Sequence, residues 1–475
     1  MKIGKKGIKE ISPIDVYKIL PRTNCGECQE SNCMAFATKV VNGEAVIEGC
    51  SPLYTPKYTK ELEKIQDLLA PPVKTITIGT GKRKIAIGGK HVLFRHEFTY
   101  HNPPPIAIDI ADDTDPDKVA QRVRLIEDFS YTYIGRPLGL DAIAIRSVTK
   151  DPDIFREIVH LVCELSDLPL ILCSYDPEVL SAGLSECADR NPLIYAINHN
   201  NWKEVGEIAL KYSCPVVVSS QGDLSLLRSL VTTMIKWGID NLVLDPGTFH
   251  GEQIGHTIHQ FSSIRKTACS EFDPIFGFPL LGTPISVWAG GELSEDLNRW
   301  QEAYLTSMLI TRYADLLIMH SIEGWALLPQ LIWRFGIYTD PRKPVSVDPG
   351  VRIFGSPDAQ SPVLITTNYA LTFFTVESDI KAAKIDCYLI VIDTGGLSVE
   401  AAVAGRYLTA LKIADSLNEF KAGDLVSHNY LIIPGLAARL SGETEEETGW
   451  KVLVGPRDSS GIGQMIRERW PPVEE

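Results

Sequence analysis

The stretch Ile106-Ala-Ile-Asp-Ile110, directly behind Pro103-Pro-Pro105, opens the most regular pattern in the chain. Seven further short apolar runs follow it: Ala142–Ile145, Leu168–Cys173, Leu193–Ile197, Pro215–Ser219, Asn241–Leu244, Leu281–Val287 and Asp315–Met319. Helical sequence separates each from the next. Eight strands alternating with helices over roughly 230 residues suit a closed parallel barrel, so an α/β barrel of the TIM type is expected across residues 105–340. Its functional loops would lie at the strand carboxyl ends. An open doubly wound sheet would need a reversal of strand order that the sequence does not display.

Toward the carboxyl end the alternation restarts after Asp340-Pro341 and Asp348-Pro349-Gly350. Four strand-to-loop units are read there, Val363–Asn368, Tyr388–Gly396, Tyr430–Gly435 and Lys451–Asp458, and a small open, Rossmann-like α/β sheet is expected over 345–475. Each strand ends in small, hydroxyl or Gly/Pro residues. Small residues let backbone amides approach a large flat ligand, so four such loops along one edge would make a broad platform. The same residues also serve tight turns that hold no ligand. There is no G-x-G-x-x-G fingerprint and no P-loop, which leaves nucleotide binding little support.

Toward the amino end, residues 58–104 are expected as a connector. A charged helix, Lys60–Leu69, stops at Pro71-Pro72, and strands at Thr75–Ile78 and Lys84–Ile87 flank the turn Gly79-Thr-Gly-Lys82. Residues 1–57 hold Cys25, Cys28, Cys33 and Cys50 in a C-x2-C-x4-C-x16-C array. Ser12-Pro13 starts a helix that Pro21 stops, and Ser31 or Asn32 caps a second through Met34–Lys39. Cys33 thus falls near a helix amino terminus, where the dipole favours a thiolate and an anionic cluster. Four thiolates at uneven short spacing point to an iron–sulfur cluster, a [4Fe–4S] form being favoured. Zinc modules usually pair two C-x2-C knuckles or add histidines, and the second knuckle is missing here. Four ordinary thiols in a helical cap are the plain alternative.

The bulk numbers bound the rest. A chain of 475 residues is long enough for about three domains, and 44% hydrophobic with 22% charged residues is ordinary for a globular protein. A net charge of −14 without a basic run argues against nucleic acid. No apolar segment follows the basic start, and the longest apolar runs, such as Tyr388–Ile392, are strand-sized, so a cytoplasmic chain without signal peptide or membrane span is expected. Cys163, Cys173, Cys187, Cys214, Cys269 and Cys387 read as buried thiols in a reducing compartment. His250, His256 and His259 lack zinc-motif spacing and read as a solvated helix.

The cysteine array, Asp245-Pro-Gly-Thr248, Tyr338-Thr-Asp-Pro341, Ser361-Pro-Val-Leu-Ile-Thr-Thr-Asn-Tyr-Ala-Leu-Thr372 and Ile433-Pro-Gly-Leu-Ala-Ala-Arg-Leu440 together resemble a known family. It is the large-subunit family of corrinoid/iron–sulfur proteins, the gamma subunits of archaeal acetyl-CoA decarbonylase/synthase complexes. The resemblance runs over essentially the whole chain. It implies a [4Fe–4S] domain over 1–57, a connector over 58–104, a barrel over 105–340 and a corrinoid-binding domain over 345–475. It implies methyl carriage: a corrinoid cobalt(I) takes a methyl group from a methyl-tetrahydropterin and passes it, reversibly, to the nickel centre of acetyl-CoA synthase. The cluster, held by Cys25, Cys28, Cys33 and Cys50, reactivates cobalt(II). The implied activity is that of a methyltransferase component, with the cobalt as nucleophile and no catalytic side chain assigned. Implied partners are the small (delta) subunit, in a heterodimer, and the acetyl-CoA synthase subunit. Corrinoid contacts are expected from Thr366, Thr367, Asn368, Leu371 and Thr372; from Thr394, Gly395, Gly396, Leu397 and Ser398; from Pro434, Gly435, Leu436, Ala437 and Ala438; and from Gly455, Pro456, Arg457 and Asp458.

Many corrinoid proteins place a histidine below the cobalt in a D-x-H-x-x-G motif, and none of the ten histidines stands in one. His428 has the wrong spacing and reads as structural. Thr372 or Thr366–Asn368 are then the candidates to cover the lower face. In the barrel, Asn198 and Asp245, with Asp112 as a third, sit at strand carboxyl ends as candidate pterin contacts, although such groups also cap helices and loops. Two other functions stay open: an electron-transfer or scaffold subunit with a cluster and no corrinoid, and a pterin-dependent methyltransferase.

Overall fold

The computed structural model describes residues 11–41, 45–89, 102–133, 136–290, 294–336 and 344–472. The motif at Tyr338–Pro341 and the basic start at Met1–Gly7 lie outside them. The chain forms two compact units, Met1–Tyr131 with Leu138–Asp340, and Thr132–Pro137 with Pro341–Glu475.

The first unit begins with helices α1 (Pro13–Ile19), α2 (Cys33–Val41) and α3 (Thr59–Leu69). Ser12 starts α1 through a reciprocal capping box with Asp15. Val16 and Leu20 bury against Phe36, Ala37 and Val40 of α2, with Leu53 and Ile65 closing a small core of its own. The antiparallel hairpin β1 (Thr75–Ile78) and β2 (Ile85–Gly88) follows.

The barrel is built from β3 (Ile106–Ala111), then, after the short hairpin β4 (Ser130–Tyr133) and β5 (Arg136–Gly139), from β6 (Ala142–Arg146), β7 (Leu170–Cys173), β8 (Leu193–Ile197), β9 (Val216–Ser219), β10 (Leu242–Asp245), β11 (Leu281–Gly282) and β12 (Leu316–Met319). The eight barrel strands are all parallel, in the order β10-β9-β8-β7-β6-β3-β12-β11, and a parallel bridge between Leu244 and Leu280 brings the two ends together. Helices α4 (Pro116–Asp128), α5 (Pro152–Leu165), α6 (Pro177–Cys187), α7 (Trp202–Tyr212), α8 (Leu224–Lys236), α9 (Ile254–Ser270), α10 (Glu295–Thr311) and α11 (Gly324–Gly336) alternate with them. Asp115, Asp151 and Asp176 each cap a helix whose first residue is proline, which explains why the chain turns into helix so soon after a strand.

Strand alternation separates two cores. Ile106, Ile108, Ile143 and Ile145 face the helices, while Ala107, Ala142 and Ala144 face the interior. The small interior residues leave space that Ile76, Ile78 and Ile87 of the β1–β2 hairpin fill. Within the stretch expected as a connector, this hairpin is therefore the barrel floor. It is tied there by Asn191, whose side chain donates to the Thr77 carbonyl at 2.9 Å. One strand also differs from expectation. β11 ends at Gly282 because Pro284 has no N–H for a ladder, and a 3-10 turn runs from Pro284 to Ala289.

The second unit carries a five-stranded sheet of β13 (Gly350–Phe354), β14 (Val363–Thr367), β15 (Cys387–Ile392), β16 (Tyr430–Ile433) and β17 (Lys451–Val454). The order is β13-β15-β14-β16-β17, parallel except for β13, an antiparallel edge strand that the sequence reading did not include. Helices α12 (Ala370–Ala383), α13 (Val399–Ala404), α14 (Ala410–Glu419), α15 (Ser441–Thr448) and α16 (Ile462–Arg469) cover both faces. From β14 the chain moves to β15 on one side, then crosses back to β16 on the other. Connections therefore leave β14 and β16 in opposite directions, and a crevice opens at their carboxyl ends.

Candidate functional site

The four amino-terminal cysteines line one small pocket with Asn24, Phe36 and Pro52. A loop of left-handed residues, Arg22, Asn24, Gly26 and Gln29, turns the chain around it. The Asn24 side chain accepts from the Cys33 amide at 2.9 Å, and the Asn24 amide donates to Cys33 Sγ at 3.4 Å. Asn32 caps α2 by accepting from the Ala35 amide at 2.9 Å, so Cys33 is the first helical residue, as the spacing predicts. Burial raises the Cys50 thiol pKa, the Leu53 amide opposes this, and the proximity of Cys33, Cys28 and Cys25 raises it further. Four thiols around one pocket is the arrangement a four-iron cluster needs, each iron taking one thiolate. Among the described residues, no three His, Cys, Asp or Glu side chains converge as a single-ion site.

At the crevice of the second unit lies an open cavity of about 340 Å³. Of the expected contacts, Thr366, Leu371, Thr372, Ser398, Pro434, Leu436, Gly455, Pro456, Arg457 and Asp458 line it. The others do not, and several build the loops instead. Asn368 is buried, and its Oδ1 accepts from the amides of Thr394 and Gly396, both at 3.0 Å, while its Nδ2 donates to Asp393. Gly435 sits where a Cβ would come 2.7 Å from the Gly455 carbonyl oxygen, so only glycine lets these two loops touch. Thr367, Gly395, Gly396, Leu397, Ala437 and Ala438 are not among the residues that line the cavity. The sequence reading missed the helical wall, Thr375, Val376, Glu400 and Ile462. The hydroxyls of Thr366 and Thr367 are buried without a hydrogen-bond partner, and Leu371 is 66% exposed at the rim. A platform with the orphaned Thr366 hydroxyl inside and an exposed apolar rim fits a large, mostly apolar ligand with a few polar edges. His428 is satisfied on both ring nitrogens, by the Ser361 carbonyl and the Tyr430 amide, which is the structural role expected of it.

The carboxyl end of the barrel carries two polar clusters. In one, Asp245 is buried, and it accepts from Tyr195 Oη at 2.9 Å, Ser219 Oγ at 3.1 Å and the Gly247 amide at 2.9 Å. No cation pairs with it among the described residues. Burial raises its pKa, and those three bonds only partly oppose the shift. The other candidates are taken up by loops: Asn198 accepts from the amides of Asn200 and Asn201, and Asp112 from those of Val148 and Thr149.

The second cluster was not anticipated. Asp109, on an inward position of β3, is 2% exposed and bonds His320 Nδ1 at 2.6 Å, Arg122 at 3.1 Å and Arg146 at 3.1 Å. Burial acts to raise its pKa, but the His320 bond and the charges of His320, Arg122 and Arg146 win and hold it below the ordinary value. Cys163 and Cys173 are only partly buried, unlike the other four scattered thiols. His256 and His259 are exposed on α9, and no helix among the described residues is long and apolar enough to cross a membrane.

The family described as CO dehydrogenase/acetyl-CoA synthase delta subunit matches residues 75–466. A second, described as a putative Fe-S cluster, matches residues 20–52, which contain all four cysteines. The chain is 45% identical to the acetyl-CoA decarbonylase/synthase complex subunit gamma 1 of Methanosarcina thermophila, over 97% of this chain and 99% of that protein. It is 41% identical to the subunit gamma of Archaeoglobus fulgidus, over 98% of this chain and 100% of that protein. Among solved structures, a Xanthomonas albilineans dihydropteroate synthase with 4-aminobenzoic acid aligns at 15% identity and a TM-score of 0.41, over 55% of this chain and 98% of that one. The barrel assignment rests on the strand ladder, not on that likeness.

Proposed function

This chain belongs to the acetyl-CoA decarbonylase/synthase gamma-subunit family, and from that premise we propose that it is a methyl-carrying corrinoid/iron–sulfur subunit. It takes methyl groups from a methyl-tetrahydropterin and passes them, reversibly, to the nickel centre of an acetyl-CoA synthase subunit. The observation that carries this reading is the cavity at the carboxyl ends of β14 and β16, with its apolar rim and the orphaned Thr366 hydroxyl. A corrinoid bound there supplies a cobalt nucleophile for methyl uptake and release. Leu371 and Leu436 would lie against its apolar surface, the Thr366 hydroxyl would meet a polar edge, and Arg457 and Asp458 would flank the opening. Among the described residues no histidine lines the cavity.

The four cysteines hold a [4Fe–4S] cluster in this reading, as an accessory that returns oxidised cobalt to the reactive state. A heterodimer with the small subunit fits the outer face of the barrel. There Leu297, Trp300 and Tyr304 of α10 and Trp325 and Trp333 of α11 are exposed, with Trp300 and Tyr304 stacked at 5.7 Å. Exposed aromatic patches of this kind are where partner surfaces bind.

The test is Leu371→Arg, in the natively purified complex. Leu371 is mostly exposed, so the fold should tolerate the change. Cobalt content is expected to fall at least several-fold while iron content is unchanged. Cobalt retained at the wild-type level would place the corrinoid elsewhere. If the wild type itself carries iron and no cobalt, the electron-transfer or scaffold reading holds instead. Tight tetrahydropterin binding without corrinoid would favour a pterin-dependent methyltransferase.

A further inference from the structure

His320 lies just past the end of β12, and its side chain is locked on one side and open on the other. Asp109 holds Nδ1 at 2.6 Å, which fixes the tautomer and the ring plane. Glu302, fully buried on α10, accepts from the His320 amide at 2.5 Å, and Arg122 of α4 donates to its carbonyl at 2.5 Å. The Trp288 ring packs on the imidazole with centroids 4.5 Å apart. Nε2 has no hydrogen-bond partner among the described residues, and the side chain is 37% exposed. A purely structural network needs nothing from that nitrogen.

Asp109 bonds the ring and also pairs with Arg122 and Arg146, while Glu302 accepts from the backbone amides of His320 and Ser321. Two polar atoms beside the cluster are also buried and unpartnered, Trp288 Nε1 and Ser147 Oγ, the latter next to Arg146 in the chain. Buried donors without partners mark a place where a ligand completes the bonding. All of this lies at the carboxyl end of the first, second and eighth barrel strands, the end on which such barrels carry chemistry.

We infer that His320 is the acid–base residue of the barrel, with Asp109 as its positioning residue. This rests on the methyl-donor reading above. When the methyl group leaves the donor, its carbon–nitrogen bond breaks with both electrons staying on nitrogen. The methyl passes to an acceptor that brings its own electron pair. The nitrogen's new bond is to the proton on His320 Nε2, and the imidazole is left neutral. In the reverse direction Nε2 takes the proton back.

Two experiments test this on the full chain. In the first, corrinoid-free chain with 15N-labelled histidine is titrated with demethylated tetrahydropterin. The Nε2 resonance of His320, assigned by its absence in H320Q, is expected to shift on binding. In the second, single-turnover methyl transfer is followed against pH in the corrinoid-loaded complex. H320Q is expected to bind methyl-tetrahydropterin as the wild type does, yet to transfer about 100-fold more slowly and to lose the acid-dependent limb of its pH–rate profile. D109N should lose less and show a displaced limb. An Nε2 resonance that stays put under saturating tetrahydropterin overturns the assignment, as does an H320Q profile matching the wild type. A wild-type chain that binds no tetrahydropterin overturns the methyl-donor reading and this inference together, a result distinct from binding to which His320 does not respond.

Discussion

Asn24 and Asn368 do similar work at the two candidate cofactor sites, each using an amide side chain to fix a loop that bears ligating or lining groups. Asn24→Ala leaves the Cys33 amide without its side-chain acceptor, at a cost of about 1 kcal/mol. The folded content should hardly change, but iron should be lost to a chelator several-fold faster, followed by decay of the charge-transfer absorption; an unchanged decay would mean the loop is held by the cluster alone. Asp109 gives a pH signature. Its folded pKa lies below the unfolded one, so its stabilisation is complete above the ordinary carboxylate range and is lost as pH falls through the lower folded value. The thermal midpoint gap between wild type and D109N should therefore close as pH falls below about 4. A gap that persists there would contradict the network. The cysteines were legible in the sequence because their spacing along the chain is itself the signal. Asp109 and His320 were not, since 211 positions separate them. The only local sign was a lone acid inside the otherwise apolar run of β3.

At the scale of elements, hydrophobic periodicity located seven of the barrel strands closely, because each is buried on both faces and reads as a continuous apolar run. It overextended β11, where Pro284 ends the ladder. It also passed over β13, an edge strand whose burial is only partial. The β1–β2 hairpin looked like a link because its alternation shows a half-buried strand pair without saying what covers it. Its docking makes a firm prediction at Gly88, whose φ is +80°. A Cβ there would come 2.5 Å from the Lys74 carbonyl oxygen and 2.6 Å from Pro279 Cγ. Gly88→Ala should cost about 2–4 kcal/mol from the left-handed backbone and the overpacking combined. Chemical denaturation followed by a barrel tryptophan reads this directly. A loss below about 1 kcal/mol, the exposed-helix cost of an ordinary substitution, would mean that the hairpin is not part of the barrel core.

At the scale of the whole molecule, the chain joins three kinds of site that chemistry usually keeps separate: a thiol pocket suited to electrons, a barrel mouth suited to protons, and an apolar cavity suited to a flat cofactor. A net charge of −14 and a soluble-type composition left all three open. The Asp109–His320 cluster was hidden by its separation along the chain, whereas the thiol pocket was legible from residue types. The walls of the cavity were not, because α12, α13 and α16 contribute them by packing across the sheet rather than by any pattern along the chain. In this reading one chain carries both a cluster and a corrinoid. Metal analysis with a visible spectrum, on the complex purified natively under anaerobic conditions, tests it most directly. About four iron and one cobalt per chain are expected, with thiolate-to-iron charge transfer and corrinoid bands together in one spectrum. Iron at that level with no cobalt and no corrinoid bands would contradict it.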